Sequence, residues 1–250
     1  MPSAFEQLLL PAECLLCRNL LSFPASDQVV CDVCRYRWRP IVRPWCERCG
    51  QPGPHFGPCR LCREWPAGLT QARSAVWLDE RAREAAHALK YGGLPRIADD
   101  LAAAITRHVP APAPDAVLVP IPLGARRLRE RGYNQSEHLA RALGARWRLP
   151  VRTDLLARRR ETATQTALTP AARLANVAGA FEVRNVECGI RNDQATRHSA
   201  FRTPHSAFVL VDDVFTTGAT LAEAARALAQ AGAVRITAVT FGRAAIPDFT

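Results

Sequence analysis

Apolar positions are spaced differently in successive stretches of this chain, and each spacing predicts a different kind of element. Up to about residue 66 no helical or strand period is sustained, and the text is rich in Cys, Pro, Arg and Trp, so a metal rather than a hydrophobic core has to organise it. Beyond that point the pattern becomes regular. Residues 72–78 read as a strand, and Ala82, Ala85, Ala86 and Leu89 then share one helical face before a stop at Gly92 and Gly93. A second helix is predicted from Pro95 through Ile97, Leu101, Ala104 and Ile105, ended by the proline-rich stretch 109–114.

Residues 116–119 form a short apolar strand, followed by a loop over 120–133 and a helix capped by Asn134, with Glu137 placed to complete a capping box. After Pro150 the reading is a strand near 151–155, a polar basic loop, a short helix from Pro170 and a strand at 180–183. Residues 185–206 are polar and patternless, which predicts a mobile loop or insertion. A strand at 208–211, a helix over 219–231 closed by Gly232, and a strand over 234–241 complete the chain. Strands alternating with helices predict an α/β fold, an open and mainly parallel sheet with helices on both faces. The expected division is a cysteine-rich module over 1–66 and an α/β domain over 67–250.

Composition narrows the class. A chain of 250 residues, 48% apolar and 22% charged, is long enough for one α/β core plus a small satellite, and disorder throughout is excluded. The first residues lack a basic segment and carry Glu6, so they do not read as a signal peptide. No apolar run approaches the roughly 20 residues needed to span a bilayer. The expected location is the cytoplasm.

The formal charge of +10 is concentrated: residues 123–160 hold eleven arginines against Glu130, Glu137 and Asp154. This implies a polyanionic partner, phosphate-rich or nucleic acid. Arg141, Arg146 and Arg148 read as a solvated helix face. Lys90 is the only lysine. It is placed either to reach a diphosphate as a point charge or to sit at an exposed helix C-terminus, where a cation suits the dipole.

Eight of the nine cysteines fall into four Cys-x-x-Cys pairs, Cys14/Cys17, Cys31/Cys34, Cys46/Cys49 and Cys59/Cys62. Two residues between cysteines let both sulfurs face one ion, and two pairs complete a tetrahedral Cys₄ shell, so two structural zinc ions are expected. Spacing leaves sequential and cross-braced pairing both open. A closed shell leaves no position for a substrate. Cys188 reads as an inert thiol and His55 as a loop residue rather than a ligand.

Residues 208–220, FVLVDDVFTTGAT, carry the most specific chemistry. An apolar strand delivers Asp212 and Asp213 to a hydroxyl-rich turn at a helix start, where backbone N–H groups with Thr216, Thr217 and Thr220 form a cradle for a monophosphate. Gly218 permits close approach of the backbone. This run resembles the substrate loop of type I phosphoribosyltransferases. That resemblance implies that Asp212 and Asp213 hold the ribose of phosphoribosyl pyrophosphate in the catalytic centre, that Thr216, Thr217, Gly218, Ala219 and Thr220 bind its 5′-phosphate, and that Mg²⁺ accompanies the diphosphate. Over nearly the whole chain, the cysteine pairs, HALKYGG at 87–93, VPIPLGARRLRERGYNQ at 119–135, QTALTPAARLANVAGAF at 165–181 and the substrate loop together resemble the ComF family of competence-related proteins. The segment 185–206 is longer than that resemblance leads one to expect.

The ComF resemblance implies that Arg126 and Arg127 lie at the diphosphate end, where guanidinium forks suit phosphate oxygens. Arg131, Tyr133, Asn134 and Gln135 are read as functional, Asn134 also as a helix cap. Two classes of function follow. One is a phosphoribosyltransferase with an unidentified acceptor. The other is a noncatalytic protein, either a phosphoribosyl pyrophosphate sensor or a factor that handles single-stranded DNA with DNA-uptake partners. The DNA role would stack bases on Tyr133, Trp147, Trp38, Trp45 and Trp65.

Overall fold

A computed structural model describes residues 11–22, 27–53, 59–160, 177–184 and 207–245. The helix expected from Pro170, the 185–206 segment, Cys188 and His55 lie outside the described residues. The elements are α1 (Asp32–Tyr36), β1 (Leu69–Trp77), α2 (Glu80–Tyr91), α3 (Ile97–His108), β2 (Ala116–Pro120), α4 (Ala125–Arg131), α5 (Gln135–Trp147), β3 (Leu156–Arg158), β4 (Phe181–Val183), β5 (Ala207–Phe215), α6 (Ala219–Gln230) and β6 (Arg235–Arg243).

Four strands form one sheet in the order β1-β6-β5-β2, with all three pairings parallel. Alternation along the strands divides the core in two. Leu118, Val209, Val211, Val239 and Phe241 face one side, where they pack with Leu101 and Ile105 of α3 and Leu139 and Leu143 of α5. Val117, Val119, Phe208, Leu210 and Ile236 face the other, against Leu221, Ala225 and Leu228 of α6. A strand buried on both faces reads as a continuous apolar run, which is the pattern of β2 and of the first half of β5.

The cysteine-rich segment is built into both layers. Cys14, Cys34 and Trp38 belong to the α3/α5 side, where Trp38 meets Phe241 edge-on with ring centroids 4.9 Å apart. Cys49, Cys62 and Trp65 belong to the α6 side. Asp100, buried on α3, clamps the first of these groups by accepting hydrogen bonds from the backbone N–H of Val29 (2.9 Å) and Val30 (3.1 Å) and from Arg35 Nη1 (2.8 Å).

Four local expectations are corrected. The 120–133 stretch is not all loop: α4 forms within it, favoured by helix-forming Arg, Leu and Glu, and stops at Gly132 in the left-handed region. Asn134 does cap α5, accepting from Ser136 N–H, but Glu137 pairs with Arg141 one turn on and, among the described residues, does not complete a capping box. The strand expected at 151–155 lies at Leu156–Arg158, antiparallel to β4, while Val151 makes a single bridge to Leu118. Finally, α3 starts at Ile97, two residues past Pro95.

Asp100→Ala should cost about 3 kcal/mol or more, because Arg35 and two buried N–H groups would lose their shared acceptor. Denaturant unfolding of the variant beside the parent measures this.

Candidate functional site

The four cysteine pairs close into two tetrads, Cys14/Cys17/Cys31/Cys34 and Cys46/Cys49/Cys59/Cys62, which is the sequential pairing. Within each, all sulfurs lie within 4.8 Å of one another. Cys17 and Cys31 Sγ are 3.8 Å apart, and Cys46 to Cys62 and Cys49 to Cys59 are each 3.7 Å. A tetrahedron with Zn–S bonds of about 2.3 Å has S···S edges of about 3.8 Å, so both donor sets fit a structural zinc ion. The local fold makes this possible: the residue after the second cysteine, Arg18 in one knuckle and Gly50 in the other, is left-handed, with φ of 60° and 69°. Burial pushes the Cys34 and Cys62 thiols up to about 12.

The acid pair stands at the C-terminal end of β5. Asp213 is buried, with Oδ2 2.5 Å from Lys90 Nζ at the end of α2 and Oδ1 3.5 Å from Gln135 Nε2. Asp212 Oδ1 accepts from Ser136 Oγ at 2.9 Å and from the Asp213 N–H at 3.0 Å. Burial and then the neighbouring Asp213 charge raise the Asp212 carboxyl to about 7. Burial opposes the Lys90 ammonium, but Asp213 and Asp212 outweigh it and hold its pKa above the ordinary lysine value.

The turn that follows packs tightly. Gly218 has φ of 77° and is the N-cap of α6, which has no side-chain cap. A Cβ at Gly218 would lie 2.5 Å from Trp65 Cζ2 and 2.9 Å from Phe215 Cζ. Thr217 is buried, and its Oγ1 has no hydrogen-bond partner among the described residues. Thr216 and Thr220 are half-buried, while Ala219 is buried at the start of the helix. An unsatisfied hydroxyl beside an uncapped helix start is the arrangement an anion would complete.

Of the predicted residues, the structure brings Lys90, Gln135, Asp212 and Asp213 together. Arg131 joins them through Gln135 Oε1 (2.9 Å), and its other Nη donates to the Tyr91 hydroxyl (2.9 Å) while the guanidinium lies over the Tyr91 ring. Tyr133 and Asn134 brace the surrounding loops, donating to Leu89 O and Ile121 O. Arg126 pairs with Glu130 on α4, a helix that buries no residue, and Arg127 is half-buried on the same helix. Sequence reasoning missed Ser136, Tyr91 and Arg243 as parts of this neighbourhood, and it read Trp65 only as a stacking surface. Trp65 is instead 6% exposed and Trp38 1%, which removes both as base-stacking platforms.

An open parallel α/β sheet of the type I phosphoribosyltransferase kind, joined to two Cys₄ ribbons, defines the class. The chain belongs to the ComF family. Residues 5–63 match the double zinc ribbon domain. The chain is 32% identical over 241 residues to DNA utilization protein YhgH of Salmonella typhi, covering 92% of this chain and 96% of that one. Competence protein ComFC of Bacillus subtilis is 28% identical over 237 residues, covering 88% and 89%. Competence protein F of Haemophilus influenzae is 32% identical over 123 residues, covering 49% and 48%. No helix among the described residues is long and apolar enough to cross a membrane.

Elemental analysis of purified protein should return about two zinc ions per chain. The raised pKa of Asp212 gives a separate expectation. The folded state binds this proton more tightly than the unfolded chain, so its contribution to stability falls as pH rises from the ordinary carboxylate range to about 7. Asp212→Asn should therefore raise the melting temperature at pH 8 more than at pH 4.

Proposed function

We propose that this protein binds phosphoribosyl pyrophosphate with Mg²⁺ at the end of β5 and acts in the handling of DNA during uptake, in the reducing cytoplasm that suits zinc-bound thiolates. One observation carries the reading: two crowded carboxylates stand beside a helix start with no side-chain cap, preceded by the buried Thr217 hydroxyl, which has no hydrogen-bond partner among the described residues. Asp212 and Asp213 would accept the ribose hydroxyls. The Thr216–Thr220 turn would hold the 5′-phosphate through its amides and hydroxyls. Lys90 would exchange part of its contact with Asp213 for the diphosphate, and Arg131 stands behind it. Bound Mg²⁺ would supply neutralising charge on the diphosphate. In this reading the acids position the sugar. Release of pyrophosphate in the presence of a nucleobase separates a transferase from a sensor.

A second reading, a single-stranded DNA-handling factor, is favoured by the exposed basic helix α4 and by the names of the relatives. Trp147 adds a half-exposed ring in a cavity of about 580 Å³ that Arg107, His108 and Arg146 also line. Stacking on such a ring with arginine at the backbone is how strands are held without sequence preference. Arg43 and Arg73 both lie over the Trp45 ring, at 5.1 and 5.6 Å, so that ring is covered by guanidinium groups rather than offered to a base.

Replacing Asp212 and Asp213 together by Asn removes two charged acceptors worth roughly 1.5 to 3 kcal/mol each, so affinity for phosphoribosyl pyrophosphate should fall by about two orders of magnitude or more. Thr217→Ala should cost only about tenfold. Calorimetry with Mg²⁺ measures both, and no binding by the parent at millimolar ligand would end the substrate assignment. Neutralising Arg126 and Arg127 should flatten the salt dependence of single-stranded DNA binding equally for all sequences. Unchanged affinity at low salt would move the DNA contact away from α4.

A further inference from the structure

The two cysteine centres are not equivalent with respect to the Thr216–Thr220 turn. Arg48, inside the Cys46/Cys49 pair, donates from Nη1 to Cys62 O (3.0 Å) and from Nη2 to Trp65 O (3.1 Å) and Pro66 O (2.8 Å). Its guanidinium also lies over the Trp65 ring, 5.9 Å from the centroid. One arginine therefore fixes the Trp65 backbone to the second centre. The Trp65 ring in turn sits where a Gly218 side chain would be, at the start of α6, and packs on Phe215 with centroids 6.0 Å apart.

A parallel route reaches the same turn from β6. Arg243 is 1% exposed, donates from Nη1 to Cys49 O (2.9 Å) and from Nη2 to Gln51 Oε1 (2.7 Å), and lies over the Phe215 ring at 4.1 Å. A buried guanidinium needs nearby negative charge, which a zinc ion held by four thiolates supplies as a net anion. Phe215 O accepts from Ala244 N–H at 2.9 Å, which ties the turn to the chain beyond β6. Among the described residues the first centre's contacts run elsewhere: Asp100 of α3 accepts from Val29 and Val30, Arg81 of α2 donates to Cys34 Sγ at 3.9 Å, and Trp38 packs on Phe241 on the opposite face of the sheet, none of them touching the Thr216–Thr220 turn.

We propose that the Cys46/Cys49/Cys59/Cys62 centre shapes the anion-binding turn through Arg48, Trp65 and Arg243, so that ligand binding at Thr216–Thr220 requires this centre intact and is indifferent to the other. Trp65 and Arg243 are positioning residues. Metal loss at the second centre frees Trp65 and Phe215, and the Gly218 turn loses the floor that holds its amides in place. This regulation rests on the reading of the turn as a phosphate site, but the shape of the turn can be followed without any ligand.

The test uses full-length zinc-loaded protein, amide hydrogen exchange of residues 216–221, zinc content, and calorimetry with phosphoribosyl pyrophosphate and Mg²⁺. Trp65→Leu should retain both zinc ions and keep β2 protected, yet speed exchange in the turn by about tenfold or more and weaken binding by a similar factor. Trp65→Phe, which restores a ring, should recover most of both. Cys62→Ser should do the same as Trp65→Leu with one zinc lost, whereas Cys17→Ser should lose one zinc and leave turn exchange within about twofold. Equal loosening by Cys17→Ser and Cys62→Ser, or unchanged exchange in Trp65→Leu, would overturn the proposal. If Cys62→Ser does not fold, the two Trp65 variants decide it. Absence of ligand binding by the parent would remove the phosphate reading, while the exchange pattern would still decide the coupling.

Discussion

Two adjacent carboxylates at the end of a buried strand repel each other, and several surrounding elements meet to hold them there. Asp213 is balanced by Lys90 from the end of α2, and Asp212 is hydrogen-bonded by Ser136 from the first turn of α5. Neither acid could stay at that depth alone, since a buried charge without a partner neutralises or destabilises the fold. The parallel order of β2, β5 and β6 brings the strand end, the α5 start and the α6 start to one edge of the sheet. Function collects at such an edge because strand ends, helix dipoles and loops converge there.

Metal centres extend this arrangement to both faces of the sheet. Each ribbon contributes buried cysteines and a tryptophan to a different half of the core, Trp38 on the side of α3 and α5 and Trp65 on the side of α6. A ribbon rich in Pro and Arg has little apolar surface of its own, and the structural zinc ion that each cysteine tetrad fits would take the place of a core there. Once ordered, it offers rigid aromatic surface to the sheet. The first ribbon is fastened by the Asp100 carboxylate, the second by the guanidinium groups of Arg48 and Arg243, so both seams rely on charged groups whose hydrogen bonds are satisfied.

Charge is distributed by function as well. Arginines near the acid pair are committed to partners, Arg131 to Gln135 and Tyr91. Arg131 is the last residue of α4, a helix with no buried residue, and Arg126 on the same helix pairs with Glu130. The half-exposed Trp147, with Arg107 and Arg146, belongs to a cavity that shares no residue with the acid pair or its turn. In the two proposed readings a phosphate ligand and a longer polyanion would therefore meet different surfaces of the same basic chain.

By itself the sequence determined what local patterns encode. The Cys-x-x-Cys spacing specified two sulfur tetrads because adjacent pairs leave little freedom in how their sulfurs converge. Alternating apolar runs specified parallel strands buried on both faces, and the Asp-Asp run before Thr-Thr-Gly marked the strand end and the turn. Periodicity failed where it was short or interrupted: α4 hid in a loop with no buried face, and β3 lay a few residues beyond its expected place because it pairs antiparallel with β4 rather than joining the main sheet. Only the tertiary structure decided which residues stand beside the acids. Ser136 and Lys90 lie 76 and 123 positions from Asp212 and Asp213, and nothing in their own sequence neighbourhoods announces those contacts. The choice of sequential over cross-braced pairing, and the burial of Trp65 beneath Gly218, were settled in the same way, since both depend on how chain segments far apart in sequence fill one volume.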